Sequence, residues 1–151
     1  MSIYIRTDIP VAPGTATKHS ATISAGTTST SLTAYYISFT IDPGAELTIT
    51  SLNVTPSRRS LITASFTALC ADSSYIDHTL YIDGTQVDYV AGADQTRLIS
   101  LYGYKTVAPG NRVISYTVRN TDTVSTRTVR YYTGVSRGVA GQLNVFVVPL
   151  E

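Results

Sequence analysis

Short alternating apolar segments, cut apart by turn dipeptides, leave this chain little choice but antiparallel β-structure. The stretch Val107–Asn120, VAPGNRVISYTVRN, shows the pattern. Pro109-Gly110 marks a turn. Beyond it Ile114, Tyr116 and Val118 alternate with Ser115, Thr117 and Arg119, the period-2 signature of a strand with one buried face. Tyr35, Ile37, Phe39 and Ile41 repeat it, and Arg59–Ala71 places Ile62, Ala64, Phe66 and Ala68 on a core face with Cys70 in phase. In Glu46–Val54, Leu47 and Ile49 share one face, and Leu52 and Val54 the other. That phase flip near Ser51 predicts a bulge. Asp83-Gly84, between Thr79–Asp83 and Thr85–Val90, is the strongest hairpin signal in the chain. Gly103, inside a strand over Arg97–Lys105, predicts a close backbone approach. Thr126–Tyr132 and Gln142–Leu150 finish the sequence. Eight or nine strands and no helical period predict an all-β, jelly-roll-like antiparallel β-sandwich, with an immunoglobulin-like sandwich as the second choice.

The first 33 residues read differently. Ile3, Tyr4, Ile5, Ile9 and Val11 form an apolar lead, broken by Pro10 and Pro13-Gly14. Thr15–Thr33 is dense in Thr, Ser, Ala and Gly. It reads as a tail with a first edge strand, or as an arm that orders on a partner. The lead favours the arm, because a solvated tail has no need of Ile3, Tyr4 and Ile5. Fully extended, such a segment reaches about 110 Å. The expected organisation is an N-terminal arm over 1–33 and a sandwich domain over 34–151.

Composition narrows the function. Only 14% of residues are charged and the net charge is +1, with no basic block to capture nucleic acid. No apolar run approaches the ~20 residues of a membrane span. The opening MSIYIRTDIP has no signal-peptide pattern, so folding in a cytoplasm is expected. The single cysteine, Cys70, has no partner for an internal disulfide and reads as a buried apolar residue. Nine arginines against two lysines, one methionine and no tryptophan suggest a thermostable protein, although codon bias explains the arginines equally well.

No motif carries chemistry. Gly134-Val135-Ser136-Arg137-Gly138 matches the G-x-S-x-G string. The mechanism needs a helix after the serine and a later histidine, whereas His19 and His78 both precede it. Two isolated histidines and one buried cysteine do not form a zinc set. Asp72, Asp77, Asp83, Asp88 and Asp94 are scattered through strands and turns, where they read as caps. No catalytic, cofactor or metal site is expected.

The informative residues are apolar and aromatic. In the last strand Leu143, Val145 and Val147 occupy one face while Phe146 and Val148 occupy the other. Around residue 100, Ile99 and Leu101 oppose Leu98, Tyr102 and Tyr104. A strand apolar on both faces needs cover on both. Tyr102, Tyr104, Phe146 and Val148 are therefore predicted to meet another subunit. Burying ~500 Å² of such surface per subunit offers about 12 kcal/mol before association costs. A cyclic homotrimer is the expected assembly. The adjacent pairs Tyr35-Tyr36 and Tyr131-Tyr132 put one ring of each pair outward, where tyrosine serves interfaces more often than sugars.

An apolar-headed Thr/Ser arm over Met1–Thr33, a low-charge sandwich over Tyr35–Leu150 and the VAPGNRVISYTVRN–Gln142-to-Glu151 ending together resemble the capsid decoration (cement) proteins of tailed bacteriophages, of the trimeric jelly-roll type. The ending is also similar to the trimeric heads of the tumour necrosis factor family. The decoration resemblance implies a virion protein bound to the major capsid protein on the outer capsid surface. Ile3, Tyr4, Ile5 and Ile9 would be its arm contacts. The alternative is a trimeric receptor-binding head of a phage fibre or spike, whose loops bind sugar or protein.

Overall fold

A computed structural model describes residues 15–23, 36–132 and 141–151. Among them are ten strands and no helix: β1 (Thr17–Thr22), β2 (Tyr36–Ile41), β3 (Glu46–Val54), β4 (Ser60–Ala71), β5 (Ile76–Ile82), β6 (Thr85–Val90), β7 (Thr96–Val107), β8 (Arg112–Asn120), β9 (Arg127–Tyr132) and β10 (Gly141–Pro149). Every pairing is antiparallel, and the pairs nest. β5 pairs β6, β4 pairs β7, β3 pairs β8, β2 pairs β9 and β1 pairs β10. The chain is thus one long hairpin rolled on itself, with its tip at Asp83-Gly84. Rolling adds the pairs β4–β10 and β5–β8 and yields two sheets. One carries β1-β10-β4 with β7 on the far edge of β4; the other runs β3-β8-β5-β6. This nesting of two facing sheets is a jelly roll.

Local chemistry explains the path. Asp83 (φ 52°) and Gly84 (φ 79°) both take the left-handed conformation that a two-residue hairpin of the right twist requires. Arg112 holds the Asp83 carboxylate at 2.8 Å and fixes the tip to the start of β8. The predicted bulge is present in β3, where the register to β8 shifts between Thr48 and Thr50. Asn120, fully buried, makes the corner at which the β3–β8 ladder turns into β2–β9. Its Nδ2 donates to the carbonyls of Ile41, Asp42 and Ser125. Past this corner β9 reaches the end of β4, where Cys70 faces Tyr131 and Ala71 faces Arg130.

The core lies between the sheets. Ile62, Phe66 and Cys70 of β4, Leu143 and Val145 of β10, Ile114 and Tyr116 of β8, and Leu80 and Ile82 of β5 have no exposed surface. These are the faces the alternation predicts. At the open side, β6 lies along the edge of β7. The Asp88 carboxylate accepts the Tyr102 N–H at 2.8 Å, and Lys105 Nζ donates to Thr85 Oγ1 at 2.7 Å. These contacts occupy an edge that would otherwise offer bare backbone.

Two features depart from the sequence reading. Ten strands replace eight or nine. Thr17–Thr22, placed within the 1–33 arm, is the first edge strand that the other reading of this stretch offered, and Ile23 is 1% exposed in the core. Backbone pairing to β10 holds this strand, so it carries almost no apolar side chain to announce itself. Ile3, Tyr4, Ile5 and Ile9 lie outside the described residues.

Gly103 confirms its expected role: a Cβ there would sit 2.5 Å from the Val87 side chain of β6. Gly103→Ala is therefore expected to push β6 off β7 and cost about 1–3 kcal/mol by overpacking. Pairing it with Val87→Ala should recover part of that loss in chemical denaturation. A single variant as stable as the parent would contradict the close approach.

Candidate functional site

Two places stand apart from ordinary core and surface: the outer face of the β1-β10-β4-β7 sheet, and a buried polar chain between the sheets.

Register places the outer face residue by residue. Phe146, Thr63 and Tyr104 form one row across β10, β4 and β7; Asn144, Ser65 and Tyr102 form the next. Val148 and Leu61 lie side by side at one end, Leu69 and Leu98 at the other. Strand spacing puts Phe146 and Tyr104 ~10 Å apart, and Tyr102 ~7 Å from Tyr104. Exposure reaches 66% at Leu98, 65% at Tyr104, 58% at Tyr102 and 43% at Phe146, with Val148 half-buried. Lys18 of β1, its ammonium 5.9 Å from the Phe146 ring, is the one charged side chain projecting outward from these four strands. The structure therefore brings Tyr102, Tyr104, Phe146 and Val148 onto one continuous face. The outer face of the other sheet differs in kind. There Tyr81 donates to Glu46 at 3.3 Å, and Arg119 lies in register with both Glu46 and Asp77. One sheet presents water with charges and hydrogen bonds; the other presents rings, leucines and short polar side chains.

The buried chain was not legible as a unit. Its members come from four elements: Asp72 just after β4, His78 on β5, Tyr116 on β8 and Tyr131 on β9. Tyr131 and Tyr116 hydroxyls lie 2.7 Å apart, Tyr116 Oη is 2.6 Å from His78 Nδ1, and His78 Nε2 is 2.7 Å from Asp72 Oδ2. A neutral imidazole satisfies every link. Nε2–H donates to Asp72, Nδ1 accepts from Tyr116, and Tyr116 accepts from Tyr131. Arg97 compensates the carboxylate at 3.3 Å, also donates to the Ala91 carbonyl, and the Ala93 N–H caps Oδ1 at 3.3 Å. Tyr116 also stacks on Phe66, centroids 3.7 Å apart, and meets Tyr131 edge-on. Burial raises both phenols well above their ordinary range. Burial alone would raise Asp72 too. The bonds from His78 and Ala93 and the charge of Arg97 overcome it and hold the carboxyl below its usual value.

Cys70 lies against this chain, and its Sγ, an Asp72 oxygen and a His78 nitrogen fall within 4.8 Å of one another. The sequence reading left these residues scattered. As a donor set they suit a soft divalent metal. Yet both nitrogens of His78 are engaged, and a guanidinium stands beside Asp72, so the arrangement matches a charge-compensated hydrogen-bond chain. Burial and the Asp72 charge push the Cys70 thiol up to about 12. His19, on the edge strand, bonds Thr17 at 3.1 Å and touches none of this. Of the other aspartates, Asp88 caps the Tyr102 N–H and Asp83 pairs with Arg112. The Gly134–Gly138 string lies outside the described residues. Of the paired tyrosines, Tyr131 is fully buried and Tyr132 is half-buried, as adjacency in a strand requires.

Two outcomes test this reading. Because the folded-state pKa of Asp72 is depressed, its contribution is complete above the ordinary carboxylate range and is lost as pH falls through the folded value. Denaturation midpoints should therefore drop below about pH 4. In Asp72→Asn, that part of the acid dependence should vanish, with about 1–3 kcal/mol lost at neutral pH as His78 and Arg97 lose a charged acceptor. An unchanged acid limb would contradict the assignment. The Cys70 thiol should ignore a disulfide reagent in the native protein and react fully in denaturant; rapid native labelling would contradict its burial.

No family model matches the chain, and no curated protein matches it in sequence. Among solved structures, the VP2 subviral particle of infectious bursal disease virus aligns with a TM-score of 0.44 at 14% identity, over 88% of this chain and 38% of that one. A family 35 carbohydrate-binding module from an environmental isolate gives 0.43 at 13% identity, over 85% of this chain and 96% of the module. A ruminal GH26 endo-β-1,4-mannanase gives 0.37 at 15% identity, over 87% and 25%. This chain spans little more than a third of the viral protein's length. Strand order and register, independently of these likenesses, make it an antiparallel jelly-roll β-sandwich.

Proposed function

We propose that this chain is a virion structural protein that binds the outer capsid surface as a homotrimer and reinforces the shell. One observation carries the reading: the broad, nearly uncharged outer face of the β1-β10-β4-β7 sheet, with Leu98, Tyr102 and Tyr104 more than half exposed. Surfaces of this kind mark association sites on soluble proteins. A cyclic trimer uses the face heterologously, against a different patch on the next copy, whereas face-to-face stacking would give a two-fold dimer. Tyr102, Tyr104, Phe146 and Val148 would be the subunit contacts. The apolar lead with Ile3, Tyr4, Ile5 and Ile9 would reach the major capsid protein, and three leads per trimer turn weak contacts into avid ones.

Light scattering on the purified protein should give about 49 kDa, three copies of the 16.2 kDa chain. Tyr102→Lys with Tyr104→Lys should reduce it to a folded monomer. A parent protein that stays monomeric at high concentration would overturn the assembly. Deleting residues 1–14 should leave the melting temperature unchanged and abolish binding to undecorated heads. Undiminished capsid occupancy would overturn the role of the lead.

A further inference from the structure

A polar groove of about 350 Å³ opens where β9 meets the end of β4, beyond the uncharged face. Asp72, Ser73, Asp94, Thr126, Arg127, Thr128 and Arg130, with the small Ala71, line it. Two of these are arginines whose guanidiniums rest on tyrosine rings. Arg127 lies 4.2 Å from the centroid of Tyr75, and Arg130 lies 4.9 Å from that of Tyr36. Stacking orders a guanidinium while leaving its in-plane N–H donors free. In Arg127 those donors are used: Nε and Nη2 reach Asp122 Oδ2 at 3.0 and 2.6 Å. Arg130 enters none of the ion pairs among the described residues. The groove therefore holds one stacked arginine with a carboxylate in its fork and a second to which the described residues bring no carboxylate. Arg127–Asp122 shows the kind of group that a guanidinium ordered in this way accepts.

The remaining lining sets the rest of the ligand. Thr126, Thr128 and Ser73 offer hydroxyls, and Asp94 offers a carboxylate that accepts hydroxyl donors but repels a second anion; the Asp72 carboxylate at the groove floor is already held by His78 and Arg97. No large apolar side chain lines the groove, so an apolar ligand gains little there. The volume exceeds the need of a single inorganic anion. We propose that this groove binds a carboxylate-bearing monosaccharide unit, its carboxylate on Arg130 and its hydroxyls on Asp94 and the threonines.

Titrating the full chain with glucuronate, glucose and inorganic phosphate, followed by amide NMR shifts, tests the assignment. Glucuronate should shift groove residues saturably and bind at least tenfold tighter than either glucose or phosphate. Arg130→Ala should weaken glucuronate at least tenfold at an unchanged melting temperature, and Arg130→Lys should restore only part, because an ammonium lacks the planar fork. Absence of saturable binding would overturn the proposal, as would glucose binding equally well or an Arg130→Ala variant with undiminished affinity. Phosphate binding as tightly as glucuronate would reduce the groove to a plain anion site and overturn the sugar assignment.

Discussion

The architecture depends on a two-residue turn. Asp83 and Gly84, both left-handed, form the tip of a hairpin whose arms are the ten described strands. Because pairing nests outward from that tip, the register set there propagates through β4–β7, β3–β8 and β1–β10. A slip of one residue anywhere along the roll would move a strand's apolar set to the other face. Tyr102 and Tyr104 are outside, and Ile99 and Leu101 inside, only because β7 meets β4 in the observed register. The Asn120 corner and the β3 bulge let the ladder bend without losing that phase.

A second constraint locks the two sheets against each other. Apolar faces alone specify contact but tolerate sliding. The chain Tyr131–Tyr116–His78–Asp72, closed by Arg97, tolerates little, since every link joins side chains from different elements. Phe66 stacked on Tyr116 ties β4 to the same chain. Breaking one link strands buried polar groups, each costing about 1–3 kcal/mol. This polar seam gives the sandwich a unique alignment, and it reaches the surface only near Arg97 and the groove beside β9.

How legible all this was depended on whether a feature is local. The faces of β4, β7, β8 and β10, the β3 bulge, the Asp83-Gly84 tip and the tight approach at Gly103 follow from neighbours in sequence, and alternation or turn chemistry displays them. β1 was legible only as an unplaced first edge strand, one of two readings of its stretch, because Thr17–Thr22 is held by backbone bonds to β10 and its side chains carry no period. The polar seam escaped because Asp72, His78, Tyr116 and Tyr131 are distant in sequence and meet only after rolling. Asp72 read as a turn cap and Cys70 as a core filler; the second was right and the first incomplete. Arg130 offered no signal, since an arginine in a strand is ordinary until Tyr36 is found beneath it.

What remains distinctive is the contrast between the two outer faces. One sheet is finished for water, with Tyr81, Glu46, Asp77 and Arg119 in mutual reach. The other carries Leu98, Tyr102, Tyr104 and Phe146, with Lys18 at its β1 edge. On this account, that second face is covered by protein in the working assembly. Hydroxyl-radical footprinting of concentrated protein and of decorated particles measures this directly, with Tyr89, 45% exposed on the opposite sheet, as the internal standard. The account predicts that Tyr102, Tyr104 and Phe146 are protected while Tyr89 stays reactive. Oxidation of Tyr102 and Tyr104 as fast as Tyr89 under both conditions would contradict it.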